Sequence, residues 1–354
     1  MATVERMTTG RPARDVLAWS RNVVDPALRA VVEAMPSSMG LIAGYHFGWW
    51  DEHGRPTSAD GGKALRPALV LLCAAAVTQD AYGDELDCVR DAVPAAAAVE
   101  LVHNFSLLHD DVMDGDLTRR HRPTAGRVFG SSAAILAGDA MLSAAFGVLA
   151  GSGHPATQQA LGVLSTAVIN LVDGQNKDLA FENRHDVELP ECIGMAERKT
   201  GALLGSSCAL GAMFGDGSPR QVALLRGFGD HLGLAFQLAD DLLGIWGDPA
   251  RTGKPAHSDL TNGKKSLPVV AALNSGTPAA EELAALYLRE EPLSEAERAR
   301  AAELVELAGG RQWTRDQAEQ LTNRAFAELA ATTPAARPAA ELRSLGTLVV
   351  TRDH

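Results

Sequence analysis

Apolar residues recur at three-and-four spacing along most of the chain, in Lys63–Ala76, Ala92–Met113, Ala133–Leu149, Thr157–Ala180, Cys192–Phe214, Gln221–Trp246 and Thr314–Leu329. That is the period of a helix with a buried face. Period-two runs of Val, Ile and Thr are almost absent, so no sheet is expected. Punctuation falls between the runs, at Gly151-Ser152-Gly153-His154-Pro155, Gly215-Asp216-Gly217-Ser218-Pro219, Ser275-Gly276-Thr277-Pro278 and Thr333-Pro334. Leu293-Ser294-Glu295-Ala296-Glu297 reads as a helix start, with Ser294 as the cap and Glu297 completing a capping box. Ala43–Asp60, rich in Gly, His and Trp, reads as an irregular loop. Several runs are long and apolar over much of their circumference, and such helices need neighbours on most sides. The pattern predicts an all-α protein, a single large helical bundle forming one domain over residues 1–354, with residues 1–13 disordered.

Composition agrees with this picture. Of 354 residues, 46% are hydrophobic and 21% charged, enough to bury a sizeable core. The net charge of −12 excludes a general nucleic-acid binder, which needs a basic surface to displace phosphate counterions. It does not exclude a small phosphate ligand held by a few convergent cations. The four cysteines, Cys73, Cys88, Cys192 and Cys208, are scattered without a C-x-x-C pair, which fits a reducing compartment and offers no zinc site. The start MATVERMTTGRPARD is too polar for a secretory signal. No stretch holds about 18 uninterrupted apolar residues, so no membrane span is expected and the chain reads as cytoplasmic.

The chemistry lies in two acidic pairs. In His109-Asp110-Asp111-Val112-Met113-Asp114, Asp110 and Asp114 are four apart and project from one helix face. A hard cation such as Mg²⁺ suits them, since it takes one or two carboxylates and leaves positions for water and phosphate oxygens. Taken alone, the motif leaves a solvated acidic face open, although Leu101–Leu108 before it is too apolar for an exposed helix. A second pair ends another apolar run at Phe236-Gln237-Leu238-Ala239-Asp240-Asp241, with Gln237 one turn before Asp240. Two such pairs on buried helices suggest facing walls of one metal-lined cavity. Short basic groups accompany them: Gly61-Gly62-Lys63-Ala64-Leu65-Arg66-Pro67, Arg119-Arg120 about one and a half turns after Asp114, Lys199-Thr200, Gly253-Lys254 and Gly263-Lys264-Lys265. Together they suit two diphosphates, one held through metal and one directly by Lys and Arg.

The ordered set G-G-K-x-L-R-P, E-L-x-H-x-x-S-L-x-H-D-D-x-x-D, R-R, G-Q-x-x-D, K-T-G, F-Q-x-x-D-D and G-K-P-x-x-S-D-L-x-x-G-K, from about Asp60 to Pro268, resembles the trans-isoprenyl diphosphate synthases (the polyprenyl synthetase family). The resemblance implies a helical bundle of the isoprenoid synthase type with a central cavity. It also implies head-to-tail condensation of an allylic diphosphate with isopentenyl diphosphate, three Mg²⁺ ions per site and a homodimer. Residue by residue, it implies that Asp110 and Asp114 bind two ions and Asp240 the third. Lys63, Arg66, His103 and Arg120, with Gly62, would hold isopentenyl diphosphate. Arg119, Lys199 and Lys254, with Lys264 near, would hold the allylic diphosphate. Thr200 and Gln237 would present oxygens to the carbocation, and Gln175 and Asp178 match a further cavity motif.

One departure stands out. The family's second motif usually ends in a third Asp, but here the chain reads Asp240-Asp241-Leu242-Leu243-Gly244. Asp248, one turn on, is a candidate compensation, and His121 replaces a family-typical small residue beside Arg120. In this family the residues upstream of the first Asp motif set product length. Phe105 five before Asp110, with small Ser106 four before, resembles the geranylgeranyl (C20) type, though Phe105 also reads as plain core. Farnesyl (C15) and longer products stay open. So do a class I terpene cyclase, which needs no second diphosphate site, and a non-catalytic regulatory subunit of a heteromeric synthase, motivated by Gly244.

Overall fold

The computed structural model describes residues 10–57, 62, 64–78, 89–182, 184–248, 257–261, 263–287, 289 and 292–351. Lys63 and Lys254 lie outside the described residues, as do residues 1–9 and Cys88. The described chain is helical nearly throughout. In order it runs α1 Ala13–Glu33, α2 Ser37–His46, α3 Leu65–Val77, α4 Val93–Met113, a hairpin of β1 Thr118–Arg119 and β2 Arg122–Pro123, α5 Ala125–Phe129, α6 Ser131–Ala150 and α7 Thr157–Glu182. There follow α8 Leu189–Ala196, a π-helical turn at Glu197–Gly201, α9 Ala202–Phe214, α10 Pro219–Trp246, α11 Ser258–Thr261, α12 Leu267–Leu273, α13 Pro278–Tyr287, α14 Glu295–Leu307, α15 Gly310–Ala331 and α16 Ala336–Val350. The all-helical expectation holds, and the Ser294 capping box forms, with Ser294 N–H donating to Glu297 Oε2 at 2.8 Å. The irregular loop expected from Ala43 begins later, because Ala43–His46 complete α2.

The chain divides into two compact units. The first comprises the residues up to Val168 with Ser206–Gly227 and Glu328–Leu345; the second comprises Ile169–Gly205, Phe228–Ala327 and the residues from Gly346 on.

In the first unit α4 is the central element, and Ala95–Ala98, Leu101 and Val102 are fully buried in it. Small side chains let α1, α3 and α6 approach α4 closely. The start of the chain is fastened here as well. Arg11 forks onto Glu341, with Nε donating to Oε1 at 2.9 Å and Nη2 to Oε2 at 2.7 Å, so residues 10–13, expected to be disordered, are ordered. α6 is long and apolar enough to cross a membrane by length and composition, with a mean hydropathy of 1.8 over its most apolar window. A single such helix does not overturn the expectation of no span, since a core helix meets the same criterion of length and composition. Ala134, Ala137, Met141, Ala145 and Leu149 face inward, while Ile135 and Leu136 are exposed.

Two apolar clusters stand out among the described residues of the second unit. One joins α8, α10, α12 and α15 through Cys192, Met195, Leu234, Leu238, Val270 and Leu321. The other joins Ile245 and Leu260 to α12, α13 and α14 through Val269, Leu283 and Leu304. Cys73, Cys192 and Cys208 are buried free thiols.

Candidate active site

In the first unit, α4 delivers Asp110, Asp111 and Asp114 at its C-terminal end. Asp114 is the cap residue, its N–H donating to Asp110 O at 2.8 Å. A helix C-terminus is already negative, so carboxylates there are unfavourable without a cation. Asp111 turns inward and accepts from Arg119 Nε at 2.6 Å. Burial raises the Asp111 pKa and Arg119 opposes the rise. Asp110 is half-buried and Asp114 exposed.

Arg119 and Arg120 are not helical, as their spacing from Asp114 suggested, but belong to the β1–β2 hairpin. Its two central residues, Arg120 (φ 50°) and His121 (φ 61°), are left-handed, as the favoured two-residue turns require. Arg122 pins the hairpin by donating to Tyr45 O (3.0 Å) and Trp50 O (3.1 Å) while its guanidinium lies over the Tyr45 ring. Arg120 is thereby laid against Gly62, where a Cβ would stand 2.8 Å from Arg120 Cζ. At φ +93° as well, that position needs glycine.

Arg66 and His103 join this group. Burial, then the charges of Arg66, Arg120 and Arg119, drive the His103 pKa well down, so its ring is neutral. Burial lowers the Arg66 pKa to about 10 against the pull of Glu100. Arg66 Nε and His46 Nε2 are buried without a hydrogen bond. A buried donor such as Arg66 Nε left unsatisfied is costly, and an anion would satisfy it. Phe105 is buried edge-on to His109, ring centroids 4.8 Å apart, and Ser106 Oγ donates to His103 O at 2.8 Å.

In the second unit the π turn carries Lys199 and Thr200. Such turns widen a helix locally and recur at functional sites. Gly174 on α7 lets this turn approach, since a Cβ there would stand 2.7 Å from Lys199 Cα. Lys199 Nζ then reaches Asp178 Oδ2 at 2.6 Å. Thr200 Oγ1 donates to Gln237 Oε1 at 2.6 Å, Gln237 Nε2 to Asp241 Oδ1 at 2.8 Å, and Leu267 N–H to Asp241 Oδ2 at 2.9 Å. Burial raises the Asp241 pKa to about 7 against the pull of Lys264. Burial alone would lower Lys264, but Asp241, Asp259, Asp178 and Asp240 outweigh it and hold the ammonium charged. Both polar atoms of the Gln175 amide are buried without a hydrogen bond.

The expected residues that the structure describes thus gather in two sets, Gly62, Arg66, His103, Asp110, Asp114, Arg119 and Arg120 in one unit and Gln175, Lys199, Thr200, Gln237, Asp240 and Lys264 in the other. Sequence reasoning gave no role to Asp111, Gly174, Asp259 or His46. The four-residue spacing of Gly174 and Asp178 was a usable signal, because it puts the close-approach point and the Lys199 partner on one face. Among the described residues no three metal-binding side chains converge. Asp110 and Asp114 offer the one or two carboxylates that a Mg²⁺ ion takes, the rest of its shell being water and phosphate.

The polyprenyl synthetase family model matches residues 49–305. The chain belongs to this family of trans-isoprenyl diphosphate synthases. It is 45% identical to a (2E,6E)-farnesyl diphosphate synthase of Mycobacterium tuberculosis over 98% of its own length and 95% of that protein. A geranylgeranyl diphosphate synthase of the same organism is 43% identical, covering 96% and 93% of the two chains. The crystal structure of a polyprenyl synthetase from Streptomyces coelicolor superposes with a TM-score of 0.89 at 44% identity, covering 95% of this chain and 99% of that one. The chain is therefore a transferase of the prenyl diphosphate synthase class.

Proposed function

We propose that the chain acts as one isoprenyl diphosphate synthase domain, Mg²⁺-dependent and cytoplasmic, that condenses allylic diphosphates with isopentenyl diphosphate to geranylgeranyl diphosphate. The reading is supported most by the gathering of Gly62, Arg66, His103 and Arg120. This cationic group, distinct from the metal-suited carboxylates, answers the need for a second diphosphate that a cyclase lacks. Lys63 and Lys254 are proposed to add to the isopentenyl and allylic sides respectively.

Asp110, Asp114 and Asp240 are the proposed ligands of three ions, which when bound neutralise charge on the leaving pyrophosphate. Arg119, Lys199 and Lys264 hold the allylic diphosphate and stabilise the charge growing on it as the carbon–oxygen bond breaks. The isopentenyl double bond attacks the allylic cation, and the released pyrophosphate takes the proton lost from the new chain. Thr200 and Gln237, fixed by their mutual hydrogen bond, turn oxygens towards the cation. Gln175 offers a buried amide without a hydrogen-bond partner among the described residues. Apolar walls keep water from quenching the cation.

Phe105 with Ser106 supports a C20 product. The 45% identity to a farnesyl synthase favours C15 as the second reading. The exposed Ile135 and Leu136 of the apolar helix α6 support a homodimer, in which a second copy covers that face.

The test is incubation with Mg²⁺, labelled isopentenyl diphosphate and dimethylallyl, geranyl or farnesyl diphosphate, followed by sizing of the dephosphorylated products. A C20 alcohol from every primer, abolished by chelator, is expected. A C15 alcohol would transfer the assignment to the second reading. Cyclic hydrocarbon, or activity only after a homologous synthase is added, would overturn the synthase reading.

A further inference from the structure

Lys264 and Lys265 are adjacent in sequence and lie between α11 and α12, outside any helix, so no helical hydrogen bonds fix where either ammonium goes. The two nonetheless have different company. Lys264 is set among Asp241, Asp259, Asp178 and Asp240, whose charges hold it protonated. The Lys265 side chain is buried, with Nζ 5.2 Å from the centroid of the Tyr287 ring and donating to Gly263 O at 3.3 Å.

Tyr287, the last residue of α13, holds both lysines at once. Its hydroxyl donates to Lys264 O at 2.9 Å while its ring takes the Lys265 ammonium. Tyr287 is itself buried, in the cluster that α13 and α14 form through Leu283 and Leu304. Loss of its hydroxyl would leave a buried carbonyl unpaired, which costs more than the bond alone contributes. Two further anchors act on the same segment from other helices. Cys192 Sγ, on α8, donates to Lys265 O at 3.3 Å, and Leu267 N–H donates to Asp241 Oδ2, on α10, at 2.9 Å. Neither Tyr287 nor Cys192 belongs to the ordered motifs, which end near Pro268.

We propose that Tyr287, seconded by Cys192, is a positioning residue of the allylic diphosphate site. It clamps the Lys264–Lys265 peptide so that Lys264, and not its neighbour, is presented among the carboxylates. α13 and α14 thereby take part in binding, although they lie beyond the motifs. This role rests on the proposed diphosphate-holding function of Lys264.

The experiment measures binding of inorganic pyrophosphate in the presence of Mg²⁺ by calorimetry, beside melting curves. It compares wild type, Tyr287→Phe, Lys264→Met and the double variant. Tyr287→Phe keeps the ring and removes only the hydroxyl, and is expected to weaken pyrophosphate binding about fivefold, the worth of one hydrogen bond. In the Lys264→Met background the same change is expected to add almost no further loss, since residues that act through one another are not additive. A merely structural Tyr287 would weaken binding by the same factor in both backgrounds, or lower the melting temperature and leave binding untouched. Either result overturns the inference. Should Tyr287→Phe fail to fold, Cys192→Ala and Cys192→Ser test the same segment. A loss in Cys192→Ala that the hydroxyl of Cys192→Ser restores is then expected, and equal affinity in the two overturns the clamp. Wild-type affinity in Lys264→Met, or a wild type that does not bind Mg²⁺-pyrophosphate, brings down the functional reading instead, and the role of Tyr287 with it.

Discussion

Lys199, Thr200, Gln237 and Asp241 in the second unit all sit in hydrogen bonds of 2.6–2.8 Å to named side chains. In the first unit, Arg66 and His46 keep buried nitrogens without a partner, and Glu100 Oε2 is likewise orphaned. The Lys199–Thr200–Gln237–Asp241 network, though not the neighbouring Gln175 amide, is satisfied in the protein itself, and the arginine-lined group of the first unit is not. A satisfied network fixes geometry. An unsatisfied cationic group stores a cost that a bound anion removes. The second unit is thus built to orient side chains, and the first to receive charge. Substitutions should separate these roles, with binding lost in one unit and stability in the other.

The largest effect is expected at the first unit's carboxylates. Asp110→Ala should lower kcat by roughly 100-fold or more, the scale of removing one group that stabilises developing charge, with thermal stability unchanged. Elongation assays beside a melting curve check this. His103→Ala should raise KM for isopentenyl diphosphate by about tenfold, the worth of one hydrogen bond to a charged group, and leave KM for the allylic substrate alone. Equal rises in both constants would contradict the division of labour between the units.

Much of this was legible in the sequence. All seven runs predicted from three-and-four spacing are helical, Cys192–Phe214 with a π turn inside it, and Trp246 and Met113 are observed helix ends, because long apolar periodicity is dictated by burial along one element. The hairpin was not legible. Arg119, Arg120 and His121 carry no Gly or Asn to announce a left-handed turn, and Arg122 holds the turn through contacts to Tyr45 and Trp50 that no local pattern contains. The close approach at Gly174 was only partly legible: its spacing from Asp178 marks a face, but the neighbour it admits, Lys199, is distant in sequence.

In the second unit, Gly174→Ala should cost about 1–3 kcal/mol of stability, since its Cβ would press on the Lys199 backbone in a packed core. Chemical denaturation measures it, and a rise in KM for the allylic substrate should accompany it as Lys199 is displaced. A variant as stable as wild type would mean that the α7 contact is loose and the second unit less preorganised than its hydrogen bonds imply.

The first unit's neutral histidines sharpen the comparison through pH. His46 and His103 both have pKa values driven well below 6.5, in each case mainly by burial and then by the neighbouring arginines. In the unfolded chain they titrate near 6.5. Their contribution is therefore fully present above that pH and is lost as pH falls towards the folded values, because the unfolded state takes up protons first. The slope approaches about 1.4 kcal/mol per pH unit for each histidine. Melting curves from pH 7.5 to 5.5 should show it, and His46→Phe should flatten the dependence. Bound pyrophosphate should flatten it too, since an anion among the arginines favours the protonated rings.

The smallest effect is expected at the hairpin tip. His121 is exposed and holds φ at 61°, a conformation that costs a side-chain-bearing residue about 1 kcal/mol more than glycine. His121→Gly removes that strain but loosens the unfolded chain, and the latter term is of similar size and opposite sign. A net stabilisation below about 1 kcal/mol is therefore expected. Kinetics should distinguish strain from function. If the turn only presents Arg120 to Gly62, His121→Gly leaves KM for isopentenyl diphosphate where it was. If that KM rises while stability increases, the left-handed histidine stiffens the turn that presents Arg120, and the first unit is more preorganised than its orphaned nitrogens suggest.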